Sequence, residues 1–501
     1  MPPNRGDAVG ARVAAEGGLA PALPSPLKRW APVLLPAVAA LAIARERFAD
    51  LPWHDEVYTL QVFAASAGKA LTDYHAPNNH VLFSAALAFW RACTPGEESI
   101  LSLRILPALC FAASAGILAA AVRRMAGSAF GAAAGCLFAS LHVTQNFALQ
   151  LRGYGPSWLP IAGALWAAVA WIEKPRTALV VLFAACVAFA VGILPTNVFP
   201  AMALSAWAAW PAVRLGRRRE AAVFALAPLA GFLFYAAVLP QLRAQAAGFA
   251  PQVSRAGFLA DAFFSIAKDL GWLALPALIG LAVVIRRARS SAAPASTEPV
   301  AILALAAAAA ATILAPAILL PHAPYPRVLV PALPLLCAAA AVLSREAFVR
   351  LGTPGVHRAG VALAAASVVV GLWREATADA PPAGARPHSL YHQYFHRGFR
   401  PDLAVEAAAL SGKGGTVLVL TDDADLLSLT RAAHGVRALD VRFSGTFAPS
   451  AAGLAEARKV AVAVIATDES SARGAVRSLG EVDLQAIADT GFFKVWRVTF
   501  R

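Results

Sequence analysis

Two adjacent carboxylates, Asp55 and Glu56, lie in the polar stretch ADLPWHDEVYTLQVFAASAGKALTDYHAPNN at residues 49–79, beside Trp53, His54 and Tyr58. An ionised acid at the edge of a low-dielectric region is disfavoured unless a partner or a proton compensates it, which suits such a group to proton transfer. A general base that takes the proton of an attacking hydroxyl contributes about 10²–10⁴ in rate. The plainer reading is a helix start: Asp55 caps VYTLQVFAAS and Glu56 sits in its first turn, where the dipole favours an anion.

Further polar groups gather in similar places. HAPNNHVLF supplies His75, Asn78, Asn79 and His80; with His54, the residues His75, Asn79 and His80 are candidate substrate-binding groups. Two histidines and two carboxylates leave a divalent metal open, although their spacing matches no recognised ligand pattern and an Asn helix cap accounts for part of it. LQLRGYGPSW presents Arg152 and Tyr154, and HAPYPRVLVPALPLL presents His322, Tyr325 and Arg327, each at the edge of an apolar run. Arginine suits bidentate phosphate binding, so Arg152, Tyr154, Arg327 and Tyr325 form a candidate phosphate site. The alternative for Arg152 is snorkelling to headgroups.

The elements that must position these groups are membrane helices. The chain has 501 residues, 59% of them apolar and only 14% charged, with 43 Lys plus Arg against 29 Asp plus Glu and a net charge of +14. Mean hydropathy is +0.61. These values exclude an ordinary soluble enzyme and a disordered chain. The basic residues fall in short clusters between apolar runs, a pattern of membrane topology that argues against nucleic-acid binding. All five cysteines lie in or beside apolar runs and read as small hydrophobes.

About eleven spans are expected, near 31–48, 100–122, 126–148, 155–172, 178–194, 197–213, 221–240, 269–285, 299–320, 327–344 and 356–373. The run from His80 to Arg91 is too short to span and is placed on the outer surface. With residues 1–30 as a flexible cytoplasmic tail, the basic clusters at 123–124, 174–176, 214–219, 286–289 and 345–350 all face inward. The stretch 241–268 then reads as an amphipathic or mobile loop over the outer site. Residues 31–375 form the membrane domain of a multispanning α-helical protein of the inner (plasma) membrane. Residues 385–501 regain normal polarity and alternate strand-like with helix-like segments, so a small C-terminal α/β domain on the outer side is expected. SGKGGTVLVL precedes a strand, the wrong order for a phosphate loop.

The order WHDEVYTL, HAPNNHVLF, LRILPALCFAASAGILAAAVRRMAG and LQLRGYGPSWL, with a weaker echo in PYPRVLVPALPLL, resembles the multispanning GT-C glycosyltransferases, which include the protein O-mannosyltransferases and the lipid A aminoarabinose transferases. The resemblance covers about the first 170 residues. It implies a polyprenyl-phosphate sugar donor, with Asp55 at the position of the essential acid, Glu56 as its neighbour, and Arg152 and Tyr154 matching an Arg-x-Tyr. Some members carry a Lys-Pro-Pro in the first loop and a second acid after that Arg. Here HAPNN and RGYGPSW stand instead, which leaves metal dependence open.

The expected activity is therefore transfer of a sugar from a polyprenyl phosphate to an acceptor hydroxyl at the outer face, with inversion. The acceptor is a glycan, a lipid or a protein, and no cofactor is certain. The alternatives are a transporter or flippase for a lipid-linked sugar and a non-catalytic membrane scaffold. Transporters place ionisable sites near the bilayer midplane, whereas the polar groups here collect at the outer ends of spans.

Overall fold

The structure is a computed structural model, and it describes residues 26–49, 54–76, 79–94, 100–248, 254–290, 297–320, 326–377, 417–420, 461–466, 469–476, 480–489 and 494–501. Its order begins α1 (Pro26–Ala44), α2 (His54–Tyr58, continuing through widened turns to Phe63), α3 (Ala67–Thr72) and α4 (Val81–Cys93). It continues with α5 (Ile100–Ser140), α6 (His142–Ala148), α7 (Trp158–Glu173), α8 (Thr177–Ile193), α9 (Val198–Arg214) and α10 (Arg218–Ala230). Then come α11 (Leu239–Gly248), α12 (Arg255–Ser290), α13 (Thr297–Leu319), α14 (Leu333–Phe348) and α15 (Thr353–Ala376). Among the described residues six stretches are long and apolar enough to cross a membrane: Ile100–Ser140, Arg218–Gln245, Arg255–Arg289, Pro299–Leu319, Pro326–Phe348 and Thr353–Ala376. The apolar helices α4, α7 and α8 are shorter, at 10–17 residues.

Small residues decide the central packing. α5 is two helices, because Gly127 has φ +82°, a conformation that side-chain-bearing residues rarely adopt. A Cβ added at Gly131 would lie 2.6 Å from the Ala119 carbonyl oxygen, and one at Gly135 would lie 2.6 Å from that of Ala115. The two arms therefore run antiparallel with backbones in near contact, a small-xxx-small arrangement suited to apolar surroundings. α1 joins the same seam through Pro36, whose Cβ would also meet a Cβ at Gly135 at 2.6 Å. Arg123 and Arg124 sit at the hairpin turn.

The second arm does not run on to residue 148 as the hydropathy suggests. It ends at Ser140, Leu141 is extended (φ −66°, ψ 136°), and α6 follows. The backbone groups freed at this break find partners: Arg374 donates to the Ser140 carbonyl at 3.1 Å, and the Val143 amide donates to Asp269 at 3.1 Å. Arg374 and Asp269 form an ion pair at 3.3 Å, tying α15 and α12 to the break. This anchor fixes where α6, and the loop after it, leave the bundle. Within 241–268 the described residues are helical up to Gly248 and again from Arg255, while residues 249–253 lie outside the described residues. Cys136 and Cys337 are buried as expected, but Cys93 is exposed.

Beyond the bundle, β1 (Val417–Leu420), β2 (Ala461–Ala466), α16 (Glu469–Val476), β3 (Val482–Asp489) and β4 (Lys494–Phe500) are described. The strand order is β1-β2-β4-β3, with β1 parallel to β2 and the other pairs antiparallel. Val462, Val464, Trp496 and Val498 pack with Ala472 and Val476 of α16. The first 25 residues, the Gly-rich segment 411–415 and residues 385–410 lie outside the described residues.

Candidate active site

Asp55 opens the short helix α2, and its carboxylate pairs with the guanidinium of Arg152 from the loop between α6 and α7. A second guanidinium, Arg327, reaches the same oxygen at 3.4 Å. Arg327 sits on the tight turns Pro326–Ala332 that lead into α14. Of the three, Arg152 is buried (1% exposed), while Asp55 and Arg327 keep 14% and 25% exposure, so the cluster opens toward the carboxylate and Arg327. Burial of Arg152 inside the protein rules out snorkelling to headgroups.

The loop carrying Arg152 is buried along its length and held by backbone contacts. The Leu151 amide donates to Glu56 at 2.8 Å, and the Gly153 amide donates to His80 Nδ1 at 2.5 Å. Ser157 donates back to the Gly153 carbonyl at 2.6 Å, and Asn197 donates to the Ser157 hydroxyl at 2.7 Å. Trp158 donates to the Val330 carbonyl at 2.8 Å, joining this loop to the turns that carry Arg327. The Arg152 guanidinium lies 5.2 Å from the Tyr154 ring centroid, within cation–π range. Tyr154 also meets the rings of His80 and Phe147 edge-on at 4.9 and 5.3 Å.

Glu56 faces elsewhere. Successive residues on a helix point about 100° apart, so neighbouring carboxylates do not share one target. Besides the Leu151 amide, Glu56 has Arg104 of α5 at 3.8 Å, and both side chains are buried. Arg104 in turn donates to the carbonyls of Arg47 and Phe48 at 2.7 and 3.1 Å. Arg47 is bidentate to Glu375 of α15, at 2.6 and 3.0 Å. It also donates to Asn146 of α6 at 3.2 Å. Sequence reasoning missed Arg47, Arg104 and Glu375. Their signal was present, since a charge beside or within an apolar run is costly unless paired.

The remaining candidates separate. Asn79 is buried and donates to the carbonyls of Ala70 and Asp73 at 2.8 and 2.6 Å, bracing the loop after α3. His75 lies in another array, with Asp73 at 2.5 Å on Nδ1 and the Tyr58 hydroxyl at 2.6 Å on Nε2. Partial burial pushes the Asp73 carboxyl up, but the hydrogen bonds from His75 outweigh it and hold it below the usual range. His80 is buried beside Arg152 and Arg327; burial first, then these two charges, hold its imidazole well below the usual pKa. His54 begins α2, and Tyr325 and Asn78 lie outside the described residues. Among the described residues no three His, Cys, Asp or Glu side chains are grouped to hold a metal ion.

This bundle of apolar helices, which gathers an acid and two arginines between loop and helix ends, is similar in fold to a solved membrane protein. The structure matches the crystal structure of ArnT from Cupriavidus metallidurans bound to undecaprenyl phosphate at TM-score 0.54, with 13% identity over 94% of this chain and 98% of that one. It also matches, more weakly, the arabinosyltransferase EmbB from Mycobacterium smegmatis, at TM-score 0.43 and 17% identity over 73% of this chain and 40% of that one. No family model matches the sequence, and no curated protein matches it at the sequence level.

Proposed function

We propose that the chain is an inverting GT-C glycosyltransferase that moves a sugar from a polyprenyl phosphate to an acceptor hydroxyl at the outer face of the membrane. The observation that carries this reading is the pairing of one partly open carboxylate, Asp55, with two guanidiniums, Arg152 and Arg327. The likeness to a transferase solved with undecaprenyl phosphate is consistent with it.

The chemistry follows from charge. A donor phosphate competes with the carboxylate for the arginines, and as it takes them the Asp55 oxygen turns to the acceptor hydroxyl. The acceptor oxygen forms a bond to the anomeric carbon while the carbon–oxygen bond to phosphate breaks, its electron pair leaving on the phosphate. The acceptor proton passes to Asp55 and then to solvent. Arg152 and Arg327, fixed before reaction, stabilise the charge that builds on the leaving group. One direct displacement inverts the anomeric centre. Tyr154 steadies Arg152, and Glu56 positions the Arg152 loop through the Leu151 amide. No step is assigned to a metal, and the role of a divalent ion stays outside this scheme.

Topology supports an outer site. Arg104, which touches Glu56, lies in the first turns of α5, and Arg123 and Arg124 lie at the far end of that arm, about 30 Å away at 1.5 Å per residue. That distance is the thickness of a bilayer core, and the basic end belongs inside. On this reading the chain has about eleven spans, a cytoplasmic N-terminus and an extracytoplasmic C-terminal α/β domain in the inner (plasma) membrane. Incubating the purified protein with a panel of polyprenyl-phosphate sugars tests the reading. Release of polyprenyl phosphate with an inverted glycoside as product supports it; a retained configuration with sugar trapped on the enzyme refutes it.

A further inference from the structure

His80 sits between two groups that can only donate. Its Nδ1 lies 2.5 Å from the Gly153 backbone nitrogen, and its Nε2 lies 3.3 Å from Arg152 Nη2. The amide contact is the short one, and an N–H cannot face a second N–H at that distance, so Nδ1 carries the lone pair. A neutral imidazole has one proton, which then belongs to Nε2. The Arg152 contact is therefore not a hydrogen bond, and among the described residues the Nε2–H meets no acceptor.

His80 is 1% exposed, so bulk water does not supply one. A buried donor without an acceptor is costly, and its native partner is expected to arrive with a ligand. The approach is also built in: a Cβ at Gly153 would lie 2.8 Å from Nδ1 and 2.9 Å from the His80 Cβ, so only glycine lets the ring lie against the amide.

We infer that His80 is a neutral Nε2–H donor to a phosphate oxygen of the substrate, a third donor beside Arg152 and Arg327. The inference rests on the donor-phosphate reading above and adds this residue and its tautomer to it. The occupant must be an acceptor, because a guanidinium already faces the same point, and an anion is favoured, because the two guanidiniums beside the ring share the single carboxylate of Asp55. A neutral donor suits the place, since a third cation beside two arginines would be repelled. Burial and those arginines both keep the ring uncharged.

The test measures binding of undecaprenyl phosphate, and separately of inorganic phosphate, to the full-length protein in nanodiscs. Asparagine at position 80 keeps an acceptor for the Gly153 amide but has no donor at the Nε2 position, whereas glutamine places an N–H there. His80→Asn is expected to weaken undecaprenyl phosphate binding about tenfold while leaving thermal unfolding near wild type, and His80→Gln to recover most of the loss. Nitrogen-15 spectra of the wild type are expected to show the Nε2–H tautomer, with that proton moving downfield on binding. If the wild type binds undecaprenyl phosphate and His80→Asn binds it equally well, or better than His80→Gln, this inference falls and the transferase reading stands. If inorganic phosphate binds with His80 dependence and undecaprenyl phosphate does not, the anion site stands and the polyprenyl reading falls. If the wild type binds neither, both fall.

Discussion

The carboxylate of Asp55 and the guanidinium of Arg152 form an ion pair across 97 residues of sequence, one at the start of a short helix and the other in a buried loop. A buried guanidinium must be compensated, and in the free protein Asp55 does this. An incoming phosphate would do the same, so the two anions compete for one cation.

That competition gives the first prediction. Asp55→Asn removes the competing charge, so undecaprenyl phosphate binding should be unchanged or tighter while sugar transfer falls about 10²–10⁴-fold. Parallel binding and turnover assays on the purified variant check it. A joint loss of binding and transfer would mean that Asp55 holds the site's shape instead.

Glu56 gives a contrasting result. It is buried on the Leu151 amide with Arg104 close by, so Glu56→Ala leaves a buried amide and a buried guanidinium without their acid and should destabilise the fold by about 3–5 kcal/mol. Glu56→Gln keeps an acceptor for Leu151 and should cost less. Thermal unfolding in detergent ranks the two, and transfer by the folded fraction of Glu56→Gln should exceed that of Asp55→Asn.

Gly153→Ala tests the support beneath Arg152. The added methyl would lie 2.6 Å from Ile193 Cγ2 and 2.8 Å from His80 Nδ1, neither of which is a freely moving chain end. The loop must shift, and undecaprenyl phosphate affinity should fall. Wild-type affinity in this variant would show that the loop tolerates displacement.

Much of this site was legible in the sequence, for a physical reason. Charged residues at the ends of apolar runs are expensive, so Asp55, Arg152 and Arg327 stood out as groups needing a partner. The divergence of Glu56 from Asp55 was harder to see, because it depends on helical phase at a single turn. Arg47 and Glu375 meet across 328 residues, and Arg104 reaches Glu56 from another helix, so nothing local names the partner. The break at Leu141 was hidden because no Gly or Pro lies between residues 136 and 152. It is set by Asp269 and Arg374, which come from distant helices. The six stretches that meet the length and hydropathy needed for crossing were visible as apolar runs, while shorter helices such as α7 and α8 are apolar without reaching that length.

His80 adds a dependence on pH. Its folded pKa lies well below the usual 6.5, which the unfolded chain recovers, so the unfolded state binds the extra proton first. The stability it contributes is complete above about 6.5 and is lost as pH falls toward the folded value. The charged groups facing the ring are Arg152 and Arg327, with the Tyr154 ring at its edge. Unfolding temperature measured from pH 7.5 to 5 should therefore drop more steeply for wild type than for His80→Asn. Equal slopes would place the proton uptake elsewhere.

The central claim is that Asp55 serves transfer from a polyprenyl phosphate. It is tested most directly by quantifying polyprenyl phosphate released from a donor panel by wild type and by Asp55→Asn, with both proteins shown to be folded and inserted. The account predicts release from at least one donor by the wild type and loss of at least about a hundredfold in the variant. Undiminished release by Asp55→Asn, or no release by the wild type from any donor, would contradict it.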